Sequence, residues 1–111
     1  MQRYIITGCY TASAMKGMMA HPSDRAAVSA KIAAAGGGTL EHFFVTTGPT
    51  DFMMIVTTES HDIDGLLAGL MVAGGAGAIS NMQTVRAITS EEFTAIQNKA
   101  AQIASAYAPP A

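Results

Sequence analysis

The sequence predicts an α+β fold: one antiparallel sheet with helices layered on one face and an added C-terminal helix. Three observations predict it. Residues 43–58, FFVTTGPTDFMMIVTT, are two apolar, β-branched and aromatic runs joined by a Gly-Pro turn, the pattern of an antiparallel hairpin. Strand-like and helix-like stretches flank that hairpin on both sides, in the order β-α-β-β-α-β. Finally, half of the 111 residues are apolar and only 13% are charged, against roughly 25% for an ordinary soluble domain. A chain this small spends most of its residues on surface, so the scarcity of charge implies that part of the surface is covered.

Tyr4 to Thr11 reads as the first strand. Thr11 or Ser13 caps a short helix carrying Met15, Met18 and Met19, which His21-Pro22 interrupts because the residue before a proline avoids the helical region. Ser23 and Asp24 offer a new N-cap, and an Ala-rich helix follows over Arg25 to Ala35, stopped by Gly36-Gly37-Gly38. Leu40 to Thr47 and Asp51 to Thr58 are the two hairpin strands. Neither alternates cleanly: Phe43 and Phe44 are adjacent, as are Met53, Met54, Ile55 and Val56, so both faces of the hairpin are expected to be covered.

Asp62 or His61 starts the next helix, in which Ile63, Leu66, Leu67, Leu70 and Met71 recur at helical spacing. Gly65 and Gly69 weaken that helix but permit close packing. The Gly74-Gly75-Ala76-Gly77 segment reads as a flexible connection to a fourth strand over about Asn81 to Ile88. Thr89 or Ser90, with Glu91 and Glu92 in the first turn, caps a last helix whose Phe93, Ile96, Ala100, Ile103 and Tyr107 share one apolar face. Pro109-Pro110 ends it. The whole is one domain over 1–111, with a core at about 3–96, a C-terminal helix at about 90–107 and a tail at 108–111. A split βαβ arrangement of this kind is ferredoxin-like, with a βαββαβ antiparallel sheet.

Composition excludes several functions. The net charge of −2 comes without a basic stripe, so nucleic acid is not an expected partner. The weakly polar run from Gly65 to Ile79 is too short for a membrane span and holds five glycines. One cysteine, Cys9, precludes an intrachain disulfide and suits a reducing compartment. The N-terminal apolar run is short and strand-like rather than a signal peptide. A cytoplasmic protein assembled from identical subunits is the expectation, since most oligomers are symmetric.

The order of elements, together with a set of short motifs, resembles the GYD-domain family of small bacterial proteins. The motifs are Tyr4-Ile5, Tyr10-Thr11, Pro22-x-x-Arg25-Ala26, Gly36-Gly37, Thr46-x-Gly48-x-x-Asp51, Arg86-Ala87 and Ser90-Glu91-Glu92. They run over about residues 3–96. The chain departs from the family at Thr50, where the namesake tyrosine is replaced and Pro49 precedes it, and at Ser80-Asn81-Met82 before the fourth strand. The resemblance implies kinship with dimeric α/β-barrel proteins, whose sheets face each other across a shared cavity. That group includes cofactor-free oxygenases, isomerases, haem-handling proteins and ligand sensors, so the fold alone selects no function.

Candidate site residues follow from residue type. His42 lies in the second strand; period two groups it with Leu40, Phe44 and Thr46, and on the face away from the helices its imidazole suits a general base. Arg86 shares its face with Met82, Thr84 and Ile88, and a guanidinium among apolar side chains needs an anion, either a substrate or Glu41 or Asp51. Tyr10 and Tyr4 each offer a phenolic hydrogen bond to a cavity, or to the protein itself. Asp51 either orients a ligand or accepts backbone N–H bonds within its turn. His42, Arg86 and Tyr10 are thus the candidate catalytic group, and Tyr4, Phe44, Thr46, Asp51, Met82 and Thr84 the candidate ligand-binding group.

Metal ligation by Met15, Met18, Met19, His21 and Cys9 has the softness for Cu(I), but the methionines are scattered through every element as core filler is. No paired-ligand motif is present, so neither metal nor cofactor is expected. The Gly74–Gly77 segment lacks the order and the lysine of a phosphate loop. Three functions remain open: a binding or accessory module holding a small organic molecule between sheet and partner, a cofactor-independent oxygenase or isomerase with His42 as base, and a structural assembly unit.

Overall fold

The computed structural model describes residues 1–59 and 63–110. The elements are β1 (Gln2–Tyr10), α1 (Ala12–Ala20), α2 (Arg25–Ala35), β2 (Gly38–Val45), β3 (Phe52–Thr58), α3 (Asp64–Gly75), β4 (Ile79–Ala87) and α4 (Ser90–Ile103), with a 3-10 turn over Ala104–Ala106. The strands form a four-stranded sheet in the order β2-β3-β1-β4, every neighbouring pair antiparallel. This is the ferredoxin-like α+β sheet that the sequence predicts, with the added C-terminal helix.

The helix caps are those the residues dictate. Thr11 caps α1 through the amide of Ala14, and Asp24 caps α2 through that of Ala26. Thr89 and Glu92 form a reciprocal capping box at the start of α4. The residues expected to start α3, His61 and Asp62, lie outside the described residues. The helix runs on through Gly74 and Gly75, which the sequence reading assigned to a flexible connection, and turns out only at Gly77 with φ +79°.

Alternation in β1 and β3 supplies the core. Tyr4 and Ile6 of β1 and Phe52, Met54 and Val56 of β3 are buried. Against them pack the half-buried Ala33 of α2, Leu66 and Leu70 of α3, and Leu40 and Phe43 of β2. Phe52 is 1% exposed and holds Phe43 in a stacked pair and Tyr10 in a tilted one, with centroids 5.9 Å and 5.3 Å apart. Burying a side chain of this size contributes about 1.5–3 kcal/mol. The two outer strands and the helices contribute no other fully buried apolar residue among those described.

Two glycines set the helix layer. A Cβ on Gly36 would lie 2.5 Å from the carbonyl oxygen of Gly65, and one on Gly65 would strike Gly36 in return. The end of α2 and the start of α3 therefore meet backbone to backbone, which is the close packing expected of Gly65.

The last helix behaves differently. α4 packs along no strand and no other α-helix over its length. The radius of gyration is 17.8 Å and the longest dimension 60 Å, where a compact chain of this length has a radius of gyration of about 13 Å. Its expected apolar face exists, but Phe93, Ile96, Ile103 and Tyr107 are 46–70% exposed.

Candidate functional site

Cross-strand pairing assigns each candidate side chain to a face, because residues directly opposite in a ladder share one. Leu40, Val56, Tyr4 and Arg86 form one row across the sheet on the helix side, and Phe43, Met54, Ile6 and Thr84 the next. On the other side, the open face, His42, Ile55, Ile5 and Val85 form a row, flanked by Phe44, Met53, Thr7 and Gln83.

The assignment corrects the sequence reading at one point. Period two would put Leu40 and His42 on the same face, but the register of β2 against β3 shifts between them. The extra residue is Glu41, and it leaves Leu40 on the helix side while His42 and Phe44 turn to the open face. There the two rings stack 6.0 Å apart and both are exposed. Glu41 accepts a hydrogen bond from Thr57 Oγ1 at 2.8 Å on that side, so it is not the partner of Arg86.

His42 and Arg86 consequently stand on opposite faces of a single chain's sheet, and Tyr10, which packs on Phe52 and pairs with Ile79, is on the helix side. The expected catalytic trio does not converge. Arg86 is exposed and makes no ion pair with a described residue. Of the expected ligand-binding residues, Phe44 is on the open face, while Tyr4, Thr84 and Met82 are on the helix side. Tyr4 is 6% exposed and its hydroxyl donates to Gln2 Oε1.

Thr46 and Asp51 serve the hairpin. Thr46 Oγ1 donates to the carbonyl of Thr50 at 2.8 Å, and its amide donates to that of Asp51 at 2.9 Å. Asp51 accepts a backbone N–H as expected, but the donor is Tyr10 of β1 at 2.9 Å rather than a residue of the turn. With the Asp51 amide bonded to the Gly8 carbonyl at 2.8 Å, this carboxylate latches the hairpin tip to the end of the central strand. Cys9 Sγ donates to the carbonyl of the adjacent Pro49 at 3.3 Å.

A hollow that no sequence signal localised lies on the helix side. It has a volume of about 260 Å³. Ile6, Met54, Val56 and Met82 of the sheet form its floor, and Ile32 and Ala33 of α2 with Leu66, Gly69, Leu70 and Ala73 of α3 form its walls. Arg25, the first residue of α2, reaches its edge. A second hollow of about 200 Å³, bounded by Tyr10, Met18 and His21 under α1, shares Arg25, Ala78 and Ile79 with the first. Side-chain volume contributes: between Ile32, Leu66 and Leu70 the two helices present Ala33, Gly65, Gly69 and Ala73, which leave space unfilled. That surplus of small residues was the available signal, and it reads equally well as close helix packing.

Electrostatics near the shared wall are simple. Arg25 pairs with no described acidic side chain, and its Nη1 lies 3.4 Å from Ser23 Oγ. Burial pushes the Tyr10 phenol up from its ordinary value, the nearby Arg25 charge opposes this, and Asp51 adds to it. The phenol is therefore a neutral donor at physiological pH. Among the described residues, no helix is long and apolar enough to cross a membrane.

Two solved structures are similar to this chain. The crystal structure of FFRP-DM1 aligns with a TM-score of 0.48 at 18% identity, covering 79% of this chain and 100% of that one. That of TTHA0845 from Thermus thermophilus aligns with a TM-score of 0.44 at 14% identity, covering 81% and 96%. No curated protein matches the chain. The family model described as GYD domain matches residues 4–96, from the third residue of β1 into α4 and across every candidate site residue, and the chain belongs to the GYD-domain family.

Proposed function

We propose that this GYD-domain protein is a homo-oligomeric binding module that holds a small, largely apolar organic molecule between its sheet and its α2–α3 helix pair. The observation that carries the reading is the hollow of about 260 Å³, walled almost wholly by apolar side chains, with Arg25 the one charged residue in its lining. Ligand sites have this make-up, a mostly apolar lining with few polar anchors. The site lies on the opposite side of the sheet from the shared inter-subunit cavity that the family resemblance implies.

Assembly is supported by the other side. Ile5, Met53, Ile55 and Val85 lie on the open face with Phe44, and Phe44 and Val85 are 50% and 55% exposed. Arg3, also on that face, donates to Glu92 Oε1 at 3.2 Å, so the base of α4 lies on the same side. The apolar stripe of α4 thus starts from the edge of the open face and projects beyond it, and a helix of this length spans about 21 Å, close to the width of a four-stranded sheet at about 4.8 Å per strand. A second copy with its own open face and its own α4 is the occupant whose shape and apolar character match. The enzymatic alternative, an oxygenase or isomerase, loses its support within one chain because His42, Arg86 and Tyr10 do not surround a common point.

Native mass spectrometry of freshly purified protein tests both halves together. The expected result is a dimer or higher multiple, with any retained molecule lost on Ala73→Leu, which fills the hollow while leaving the open face intact. A monomer at micromolar concentration contradicts the assembly reading, and retention of the same molecule by Ala73→Leu contradicts the placement of the ligand.

A further inference from the structure

We infer that the helix-side hollow selects a short amphiphile with a single anionic head, such as a monocarboxylate of about ten heavy atoms, and that Arg25 receives the head. The inference rests on the reading of that hollow as a binding site and adds the chemical class of its ligand.

Size sets the tail. An apolar cavity of about 150 Å³ accommodates benzene, six carbon atoms, so 260 Å³ suits roughly ten heavy atoms by the same ratio. The lining at its centre is aliphatic: Ile6, Ile32, Leu66, Leu70 and Met82 offer no hydrogen bond that would hold a polar tail. A chain with hydroxyls along its length would leave them unpaired at about 1–3 kcal/mol each.

Charge sets the head. Arg25 lines both hollows, and its guanidinium lies 3.4 Å from Ser23 Oγ, on the side of the second hollow, where Tyr10, His21 and Ser23 supply polar groups. Two facts distinguish it from a surface arginine. It is half-buried, and no described acidic side chain pairs with it. The nearest carboxylate in sequence, Asp24, is engaged by the amide of Ala26 at 3.0 Å. The planar fork of a guanidinium matches a carboxylate with two parallel hydrogen bonds. The charge of the head is limited to one, because Asp51, held on the Tyr10 amide, presents a negative charge beside the phenol that faces the second hollow. A head with two or more charges meets that repulsion with a single guanidinium to offset it.

Octanoate and 1-octanol, ten and nine heavy atoms by their formulae, carry the same tail with and without the charge, and make the direct test. Titrating the full chain with each by calorimetry at pH 7, we expect octanoate to bind at least tenfold more tightly. Arg25→Gln should weaken octanoate at least tenfold and change 1-octanol less than twofold, and Arg25→Lys, which keeps the charge but not the fork, should fall between. Equal affinity for the two compounds, or octanoate binding that survives Arg25→Gln unchanged, overturns the anionic head while leaving the hollow a binding site. Failure of both compounds to bind the wild-type chain overturns the binding-site reading and this inference with it. An unchanged amide NMR spectrum outside α2 shows that each variant is folded, and the 1-octanol titration shows that its hollow is intact.

Discussion

The two faces of the sheet are made from the same strands and differ in almost everything else. On the helix side Ile6, Met54 and Val56 are 1–9% exposed and closed over by α2 and α3, yet the closure is imperfect because those helices bring alanine and glycine to the crossing. On the open side the neighbouring residues of the same strands, Ile5, Met53 and Ile55, are only half-buried, Phe44 and Val85 beside them are exposed, and α4, which has an apolar stripe to offer, packs along no strand. One face has cover but leaves a void; the other keeps apolar surface only partly covered. The difference teaches that a strand of consecutive apolar residues such as Met53-Met54-Ile55-Val56 serves two tasks at once, with the odd and even positions answering to different partners.

Mutations sharpen the contrast, and the largest effects belong to the helix side. Phe52→Ala removes the ring on which Phe43 and Tyr10 pack and should cost about 3–5 kcal/mol in urea unfolding. Gly65→Ala forces apart the point where α2 and α3 touch, and should cost about 1–3 kcal/mol; a loss below about 0.5 kcal/mol would break the account of how the helix layer is set. On the open face, Val85→Asp should leave the unfolding free energy of the subunit within about 0.5 kcal/mol. In sedimentation equilibrium it should nevertheless weaken self-association at least tenfold, and Ile96→Asp on α4 should do the same. Destabilisation of the subunit by Val85→Asp as severe as that from Phe52→Ala would erase the distinction between the faces.

The smallest effects concern the base of α4. Thr89→Ala removes the hydroxyl half of the capping box and should cost that helix about 1 kcal/mol. The Glu92 carboxyl is held below its usual value first by the Thr89 amide, then by the Thr89 hydroxyl and by Arg3. A carboxyl depressed in the folded state stabilises above its unfolded value and loses that contribution as pH falls through the folded one. Helical ellipticity at 222 nm should therefore decline on acidification below about pH 4.5, and Glu92→Gln, which cannot ionise, should flatten that part of the curve.

The fold was readable because each signal was local. Thr11, Asp24 and Thr89 are strong caps, the Gly-Pro turn separates two runs of strand-forming residues, and Gly36-Gly37 ends a helix wherever it stands. The face of His42 was not readable, since a single bulge at Glu41 inverts the alternation and leaves no mark in residue type. Nor was the end of α3: Gly74-Gly75 looks like a connection, yet the helix runs through it, with Gly74 close against Met82 of β4. The candidate site was missed for a third reason. A hollow is made of what is absent, and Ala33, Gly69 and Ala73 announce tight packing and empty space in the same letters. Arg25 was visible within a family motif, but its position at the edge of the hollow depends on where α2 lands on the sheet.

The methionines allow the division between the faces to be measured in one experiment. Met54 and Met82 line the hollow, and Met53 lies on the open face opposite Phe44. With 13C-labelled methionine methyls, octanoate titrated at constant protein concentration should move the Met54 and Met82 resonances and leave Met53 in place. Dilution of the ligand-free protein through its dissociation range should move Met53 and leave the other two. Ligand shifts confined to Met53, or a Met53 resonance unchanged from millimolar to nanomolar protein, would contradict the account that one face of this sheet binds and the other assembles.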